Sequence, residues 1–148
     1  PEYKSEKKEI SPTRIKKALD AVATAATNYL LDSDDDSAVK AYDYIKSRGF
    51  TDRLIKKYRL GFLPDSNRAA TKLIVKSVGD DYGVKAAIAG GALHQGDGEP
   101  YTSLWGRLTV PITDKFGNVV GFGAREVPDV PHHSEAKWIN PTSTSVYD

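Results

Sequence analysis

The chain has 148 residues, enough for one domain with a substantial buried core. It contains no cysteine, which excludes a disulfide scaffold, a cysteine nucleophile and a thiolate zinc site within these residues. No apolar run approaches the roughly 18 residues of a membrane-spanning helix. The first 17 residues are charged and lack an apolar signal core, so the sequence reads as cytoplasmic. The net charge of +1 hides an uneven distribution: residues 40–76 carry ten Lys or Arg and three Asp, directly after the acidic cluster Asp32, Asp34, Asp35 and Asp36. A basic segment of this kind suits a polyanionic partner or simply a solvated helix surface, and composition alone favours the solvated surface.

Residues 1–10 are polar and charged and are expected to fray. Ser11-Pro12 is a helix start, with Ser11 as N-cap and Pro12 in the first turn. Ile15, Leu19, Val22, Ala26 and Leu30 then form one apolar stripe over about five turns. The acidic run at 32–36 ends this helix as a loop. A second helix, Ser37 to Arg48, buries Ala38, Ala41, Tyr42 and Ile45 and stops at Gly49. Thr51 caps a third, bearing Leu54, Ile55 and Tyr58 and closing near Gly61. The two form a hairpin whose outside carries Lys40, Lys46, Arg48, Arg53, Lys56, Lys57 and Arg59. A fourth helix spans about Asn67 to Val78 and buries Leu73, Ile74 and Val78; a fifth spans Val84 to Ala89 and stops at Gly90-Gly91. From His94 the pattern changes. Residues 95–98 form a turn, and Arg107 to Ile112 reads as a strand whose Pro111 requires an edge or a bulge. Thr113 to Asn118 is a hairpin connection and Val119 to Arg125 the partner strand. Gly121 and Gly123 bare one face of that strand and invite close approach. A Pro- and His-containing loop over 128–136 leads to a short extended segment, Lys137 to Asn140.

Few residues carry recognisable chemistry. His132 and His133 are adjacent, and neighbours on an extended chain point to opposite faces and chelate poorly. The acidic run lacks the alternation and trailing Glu of a calcium loop. Gly121-Phe-Gly-Ala-Arg125 lacks the Lys-Ser/Thr ending and following helix of a phosphate loop. The serines and threonines near the C-terminus have no visible base partner, and no carboxylates are paired for acid–base work. What remains is Arg107, Arg125 and Lys137 with Trp105, Trp138 and Asn140 beside them. Cations take phosphates, rings stack on bases and an amide hydrogen-bonds either, so the set suits single-stranded nucleic acid. Equally, the tryptophans could be core and the cations merely exposed. Alternation leaves two orientations for 137–140. Either Ile139 enters the core and Trp138 faces outward with Asn140, or Trp138 enters; the reading favours a partly buried Trp138 with a ring edge left for a base.

The order of features resembles a known family. Arg48-Gly-Phe50, Leu54-Ile-Lys-Lys-Tyr-Arg-Leu-Gly-Phe62, Ala89-Gly-Gly-Ala-Leu93, Tyr101, Arg107-Leu-Thr-Val-Pro-Ile-Thr-Asp-Lys-Phe-Gly-Asn-Val-Val-Gly-Phe-Gly-Ala-Arg125 and Lys137-Trp-Ile-Asn140 follow one another. This resembles the N-terminal subdomain of the RNA-polymerase core of bacterial-type (DnaG-type) primases, which precedes a toprim fold. The match covers about residues 37–148 and is most specific from 107 to 125. It leaves residues 1–36 as a helical arm and acidic linker. The sequence departs from the family in having Trp105 for a second Arg, Trp138 for Tyr and Ala136 for Pro, and in a longer Val127–Glu135 insert.

The resemblance implies an α+β fold, a helical N-terminal half packed on a small, mostly antiparallel sheet. It implies nucleic-acid contacts at Arg107, Arg125, Lys137, Trp138 and Asn140, with no catalytic residue or metal ligand in this segment. The chain is expected to be a piece of a larger protein that synthesises short RNA primers on single-stranded DNA from ribonucleoside triphosphates, at the replication fork and with the replicative helicase as partner. Mg or Mn would sit in a downstream toprim fold and Zn in an upstream domain, so this piece alone would be inactive. The alternative is a stand-alone single-strand-binding or interaction module without polymerase activity.

Overall fold

The computed structural model describes residues 10–148; residues 1–9, most of the segment expected to fray, lie outside the described residues. Among the described residues the architecture is α+β, as the sequence implies. Helix α1 (Pro12–Asp32) starts as expected, with Ser11 Oγ accepting the Arg14 N–H at 3.3 Å. Its stripe of Ile15, Leu19, Val22, Ala26 and Leu30 is buried throughout. The helix is therefore not an arm. It lies at the centre of the molecule, because its small residues let the sheet come close: a Cβ added to Gly61 would lie 2.5 Å from that of Ala26.

Helices α2 (Asp36–Ser47) and α3 (Asp52–Tyr58) form the expected hairpin, turning at Gly49 with φ +98° and capped by Thr51 Oγ1. The second helix begins inside the acidic run, since Asp36 adds favourable negative charge to its first turn. The expected burial of Tyr42 is only partial, and α3 closes two residues before Gly61, at Arg59, which adopts a left-handed conformation (φ 55°). The Arg59 guanidinium explains the stop: it donates to Asp20 Oδ1 and Thr24 Oγ1, both at 2.7 Å, tying the end of α3 to α1. That frees Gly61 to enter strand β1 (Gly61–Phe62), too short to leave a periodic signal.

Helix α4 (Asn67–Val78) matches its predicted span; Ile74 is buried, Leu73 and Val78 half-buried. Helix α5 (Asp81–Ala89) starts one turn earlier than predicted because Asp80 caps it, accepting the Gly83 N–H at 2.8 Å. Strands β2 (His94–Gln95) and β3 (Pro100–Tyr101) pair around the predicted turn. Strands β4 (Arg107–Thr113), β5 (Val119–Glu126) and β6 (Trp138–Ile139) complete an antiparallel sheet of order β1-β4-β5-β6. Pro111 is tolerated because β1 pairs only with Leu108 and Thr109, leaving the outer side of Pro111 open, and a bulge follows between Ile112 and Thr113.

Register sorts the sheet into two faces. Gly61, Thr109, Ala124 and Ile139 stand opposite one another in one row; Phe62, Leu108, Arg125 and Trp138 form the next. Directly opposed residues share a face, so the rows point to opposite sides. The first faces α1, and Ala124 and Ile139 join its core. The second faces the α2–α3 hairpin, where Phe62 and Leu108 pack with Ala38, Ala41, Ile45, Ile55 and Leu60.

Arg107 is the largest fully buried side chain. The groove position expected for it is therefore corrected. Its guanidinium donates to the carbonyls of His133 (2.7 Å from Nη2, 3.0 Å from Nε), Lys137 (3.3 Å), Ser134 (3.4 Å) and Ala136. Burial lowers its pKa from the usual arginine value, with the Glu126 charge opposing the shift. The planar fork gathers the 133–137 loop as one compact unit. Arg107→Met should cost about 1–3 kcal/mol by leaving these acceptors without a donor. Arg107→Lys should restore only part of this, because an ammonium cannot reproduce the fork. Chemical unfolding with limited proteolysis between residues 128 and 136 measures both; a groove-lining arginine would leave stability and protection unchanged.

The β4–β5 turn supplies a pH-dependent term. Partial desolvation of Asp114 opposes ionisation. The N–H groups of Asn118 and Phe116, the Asn118 amide and Lys16 outweigh it and hold the carboxyl at about 2. Because the folded value is depressed, the stabilisation is present above the ordinary value of 3.8 and disappears as pH falls towards 2. Thermal melts of wild type and Asp114→Asn should differ most at neutral pH and converge across that acidic window.

Candidate nucleic-acid interface

The row Phe62-Leu108-Arg125-Trp138 runs out from under the hairpin. Phe62 and Leu108 are covered; Arg125 and Trp138 are exposed, Trp138 to 42%. The hairpin is thus too narrow for the sheet, and its uncovered edge is where the candidate residues collect.

Trp138 adopts the outward orientation, with Ile139 half-buried against the α1-side core. The indole lies across Gly123, where an added Cβ would sit 2.2 Å from Cζ2. The bare strand face that the two glycines predicted is covered by the chain itself, by the Trp138 ring at Gly123 and by Pro141 and Tyr147 at Gly121. Trp138 Nε1 donates to Asn140 Oδ1 at 2.8 Å. The indole N–H is donor-only, so it fixes the amide and leaves the Asn140 N–H₂ to donate elsewhere. Lys137 is exposed, while its carbonyl accepts from the Glu126 N–H at 2.9 Å and from Arg107. Its backbone is held and its ammonium lies in solvent.

Three of the five site residues named from sequence therefore lie together, Arg125, Trp138 and Asn140, and Lys137 adjoins them in the chain with its side chain exposed. Arg107 stands behind them as the support. Trp105 is elsewhere, half-buried against the α1-side core with its ring edge-on to His133 at 6.3 Å. His132 Nδ1 lies 2.9 Å from the Val130 carbonyl, and Nε2 lies 3.6 Å from Glu126. His94 meets Ser103 at 3.2 Å; burial and then the His133 charge depress its pKa.

Sequence reasoning missed the opposite bank. Tyr44, Arg48 and Phe50 line a recess shared with Arg125 and Trp138. Arg48 was read as one of seven cations decorating the hairpin. Its only distinguishing signal was its place at the turn, beside Gly49 and Phe50. Several of the others are neutralised: Lys40 by Asp36 at 3.1 Å, Lys46 by Asp52 at 3.0 Å and Arg59 by Asp20 at 2.7 Å. Hydrogen bonds from Tyr42 and then Lys46 hold the Asp52 carboxyl below its ordinary range. Among the described residues neither Arg48, Arg125 nor Lys137 has an ion-pair partner.

Comparison with known proteins agrees with the motif reading. The family model for the DNA primase catalytic core, N-terminal domain, matches residues 27–148, beginning within α1 rather than after it. The DNA primase of Mycobacterium tuberculosis strain H37Rv is 33% identical over 129 residues, 87% of this chain and 20% of that protein. The DNA primase of Deinococcus radiodurans is 33% identical over 110 residues, 72% and 18% respectively. This chain spans about a fifth of the length of these relatives. Among solved structures, the RNA polymerase domain of Mycobacterium tuberculosis primase DnaG, in complex with a double-stranded DNA oligomer with a 6-nucleotide overhang, superposes with a TM-score of 0.79 at 31% identity. It covers 93% of this chain and 41% of that one. The zinc-binding and RNA polymerase domains of Aquifex aeolicus primase give a TM-score of 0.74 at 25% identity, over 99% and 35%. With the predicted fold and the 107–125 register both in place, the chain belongs to the family of DNA primase catalytic core N-terminal domains.

Proposed function

We propose that this chain forms one wall of the template groove of a primase that synthesises short RNA primers from ribonucleoside triphosphates on single-stranded DNA. One observation carries the reading. An unpaired arginine, an exposed indole and an oriented amide share the uncovered edge of the sheet, with the exposed Lys137 next to them in the chain. Arg125 and Lys137 would take phosphates, Trp138 would stack on a base and Asn140 would donate to backbone or base. That the mycobacterial primase domain is found in complex with DNA supports a DNA-binding role for this domain.

The chemistry of primer synthesis belongs elsewhere in the whole protein. Among the described residues no His, Asp and Glu side chains are grouped as a bound cation would need. The Mg or Mn ions that would activate the attacking hydroxyl and stabilise the leaving pyrophosphate fit a toprim fold, not this wall. The Aquifex relative, with its zinc-binding and RNA polymerase domains, supports a zinc domain in the parent. The replicative helicase and the replication fork in the cytoplasm complete the proposed setting.

Single-strand binding tests the wall directly. Affinity for an oligonucleotide should fall with log salt at a slope of at least about −1.4, for two phosphates neutralised at about −0.7 each. Lys137→Ala should flatten the slope by about 0.7. Lys56→Ala and Lys57→Ala should leave it unchanged; the reverse ranking would move the binding face to the hairpin.

Trp138→Ala separates stacking from packing. A stacking platform loses about 1–3 kcal/mol of single-strand affinity, whereas a buried ring would cost about 3–5 kcal/mol of stability. With 42% of the residue exposed, affinity should fall and the melting temperature should change little. A large drop in melting temperature with unchanged affinity would exclude the stacking role.

A further inference from the structure

Beside Trp138 the sheet and the α2–α3 hairpin do not close on each other. A recess of about 210 Å³ remains between them. Its floor is apolar: Ile45, Leu60 and Leu108 are 8%, 8% and 4% exposed. Tyr44 and Phe50 wall it on the hairpin bank, and Trp138 walls it on the strand bank. Arg48 and Arg125, both exposed, stand at the mouth on opposite banks. The Arg48 guanidinium lies over the Tyr44 ring at 5.6 Å, which orients it without neutralising it.

This combination selects its occupant. A free anion needs no apolar floor, and an apolar peptide segment needs no pair of cations. The volume falls below the roughly 300–1,000 Å³ of ordinary small-molecule sites, which leaves room for one ring system. A nucleotide within a strand has flat apolar faces on its base and a phosphate on either side. That charge pattern matches one arginine on each bank. A free nucleoside triphosphate carries its charge on one side only and leaves the second bank unmatched.

We propose that this recess receives one base, turned out of the stack of single-stranded DNA lying in the groove, with the flanking phosphates on Arg48 and Arg125. The inference rests on the template-groove reading and extends the site to the hairpin. Trp138 and Phe50 hold the ring faces, and the hairpin turn supplies the third phosphate-binding cation.

The test is a scan of oligonucleotides carrying one abasic residue at each position in turn, with 2-aminopurine placed at the sensitive position. One abasic site should weaken binding about tenfold, as loss of a stacked base does. 2-Aminopurine there should be shielded from acrylamide. Val110→Phe, which fills the recess from the strand bank, should restore quenching and shrink the abasic penalty to less than about twofold, with the salt slope unchanged. Arg48→Gln should flatten that slope by about 0.7. The scan and the quenching need no variant, so they decide the matter even where Val110→Phe does not fold. No sensitive position, with a normal salt slope, would overturn the recess and leave the groove standing. Shielding that survives in folded Val110→Phe would place the base on the outer face of Trp138 and overturn it likewise. Displacement of 2-aminopurine by a free nucleoside triphosphate without release of the strand would give the recess to that ligand instead. Failure of every strand to bind would defeat the groove reading and the recess with it.

Discussion

The candidate site depends on a cation that faces away from it. Arg107 is buried completely, and its guanidinium collects the carbonyls of residues 133–137. Desolvating a guanidinium is costly unless its donors are satisfied, so the loop and the arginine determine each other's position. Strand β6 needs this help. It is two residues long and pairs with β5 only at Ala124 and Arg125. So short a ladder does not hold a loop end by itself. Gly106 assists from the other side, where a Cβ would lie 1.9 Å from the Pro131 carbonyl oxygen. Lys137, Trp138 and Asn140 follow directly from the tethered loop and inherit its position.

Strand parity does the remaining sorting. The backbone pairs that put Ala124 and Ile139 on α1 put Arg125 and Trp138 on the opposite face. A shift of one residue in β6 would send the indole into the core and Ile139 into water. Gly123 secures the register from the far side, because only a residue without a side chain lets the indole lie flat across β5. Core and site are therefore alternate residues of the same two strands.

Much of this was legible because it rests on local rules. The caps at Ser11 and Thr51, the stop at Gly49, the span of α4 and the 113–118 hairpin all follow from residues within a few positions of one another. The misses share a different origin. Arg59 ends α3 because Asp20 and Thr24, some 35 to 39 residues away, take its guanidinium. Arg107 is internal because a loop about 30 residues downstream folds over it. Neither contact leaves a periodic trace, and an arginine before a strand looks the same whether it binds phosphate or carbonyls. The role of α1 was missed for a related reason: its stripe was read correctly, but a stripe does not say how much of the molecule packs on it.

A net charge of +1 would not single out a polyanion-binding protein. What matters is which charges are cancelled. Asp20, Asp36 and Asp52 each neutralise a cation of the hairpin or its end, while Asp114 is engaged by Lys16 and its own turn. Among the described residues Arg48 and Arg125, which line one recess at the uncovered edge of the sheet, and the exposed Lys137 have no ion pair. An unpaired guanidinium beside low-dielectric aromatic walls attracts phosphate more strongly than the same group on an open helix, because the walls displace water that would screen it. The acidic residues thus lower the hairpin's outer charge without cancelling it, since Arg53, Lys56 and Lys57 keep no ion pair among the described residues; what sets the groove apart is that its free cations stand beside rings on which the bases of a strand can stack.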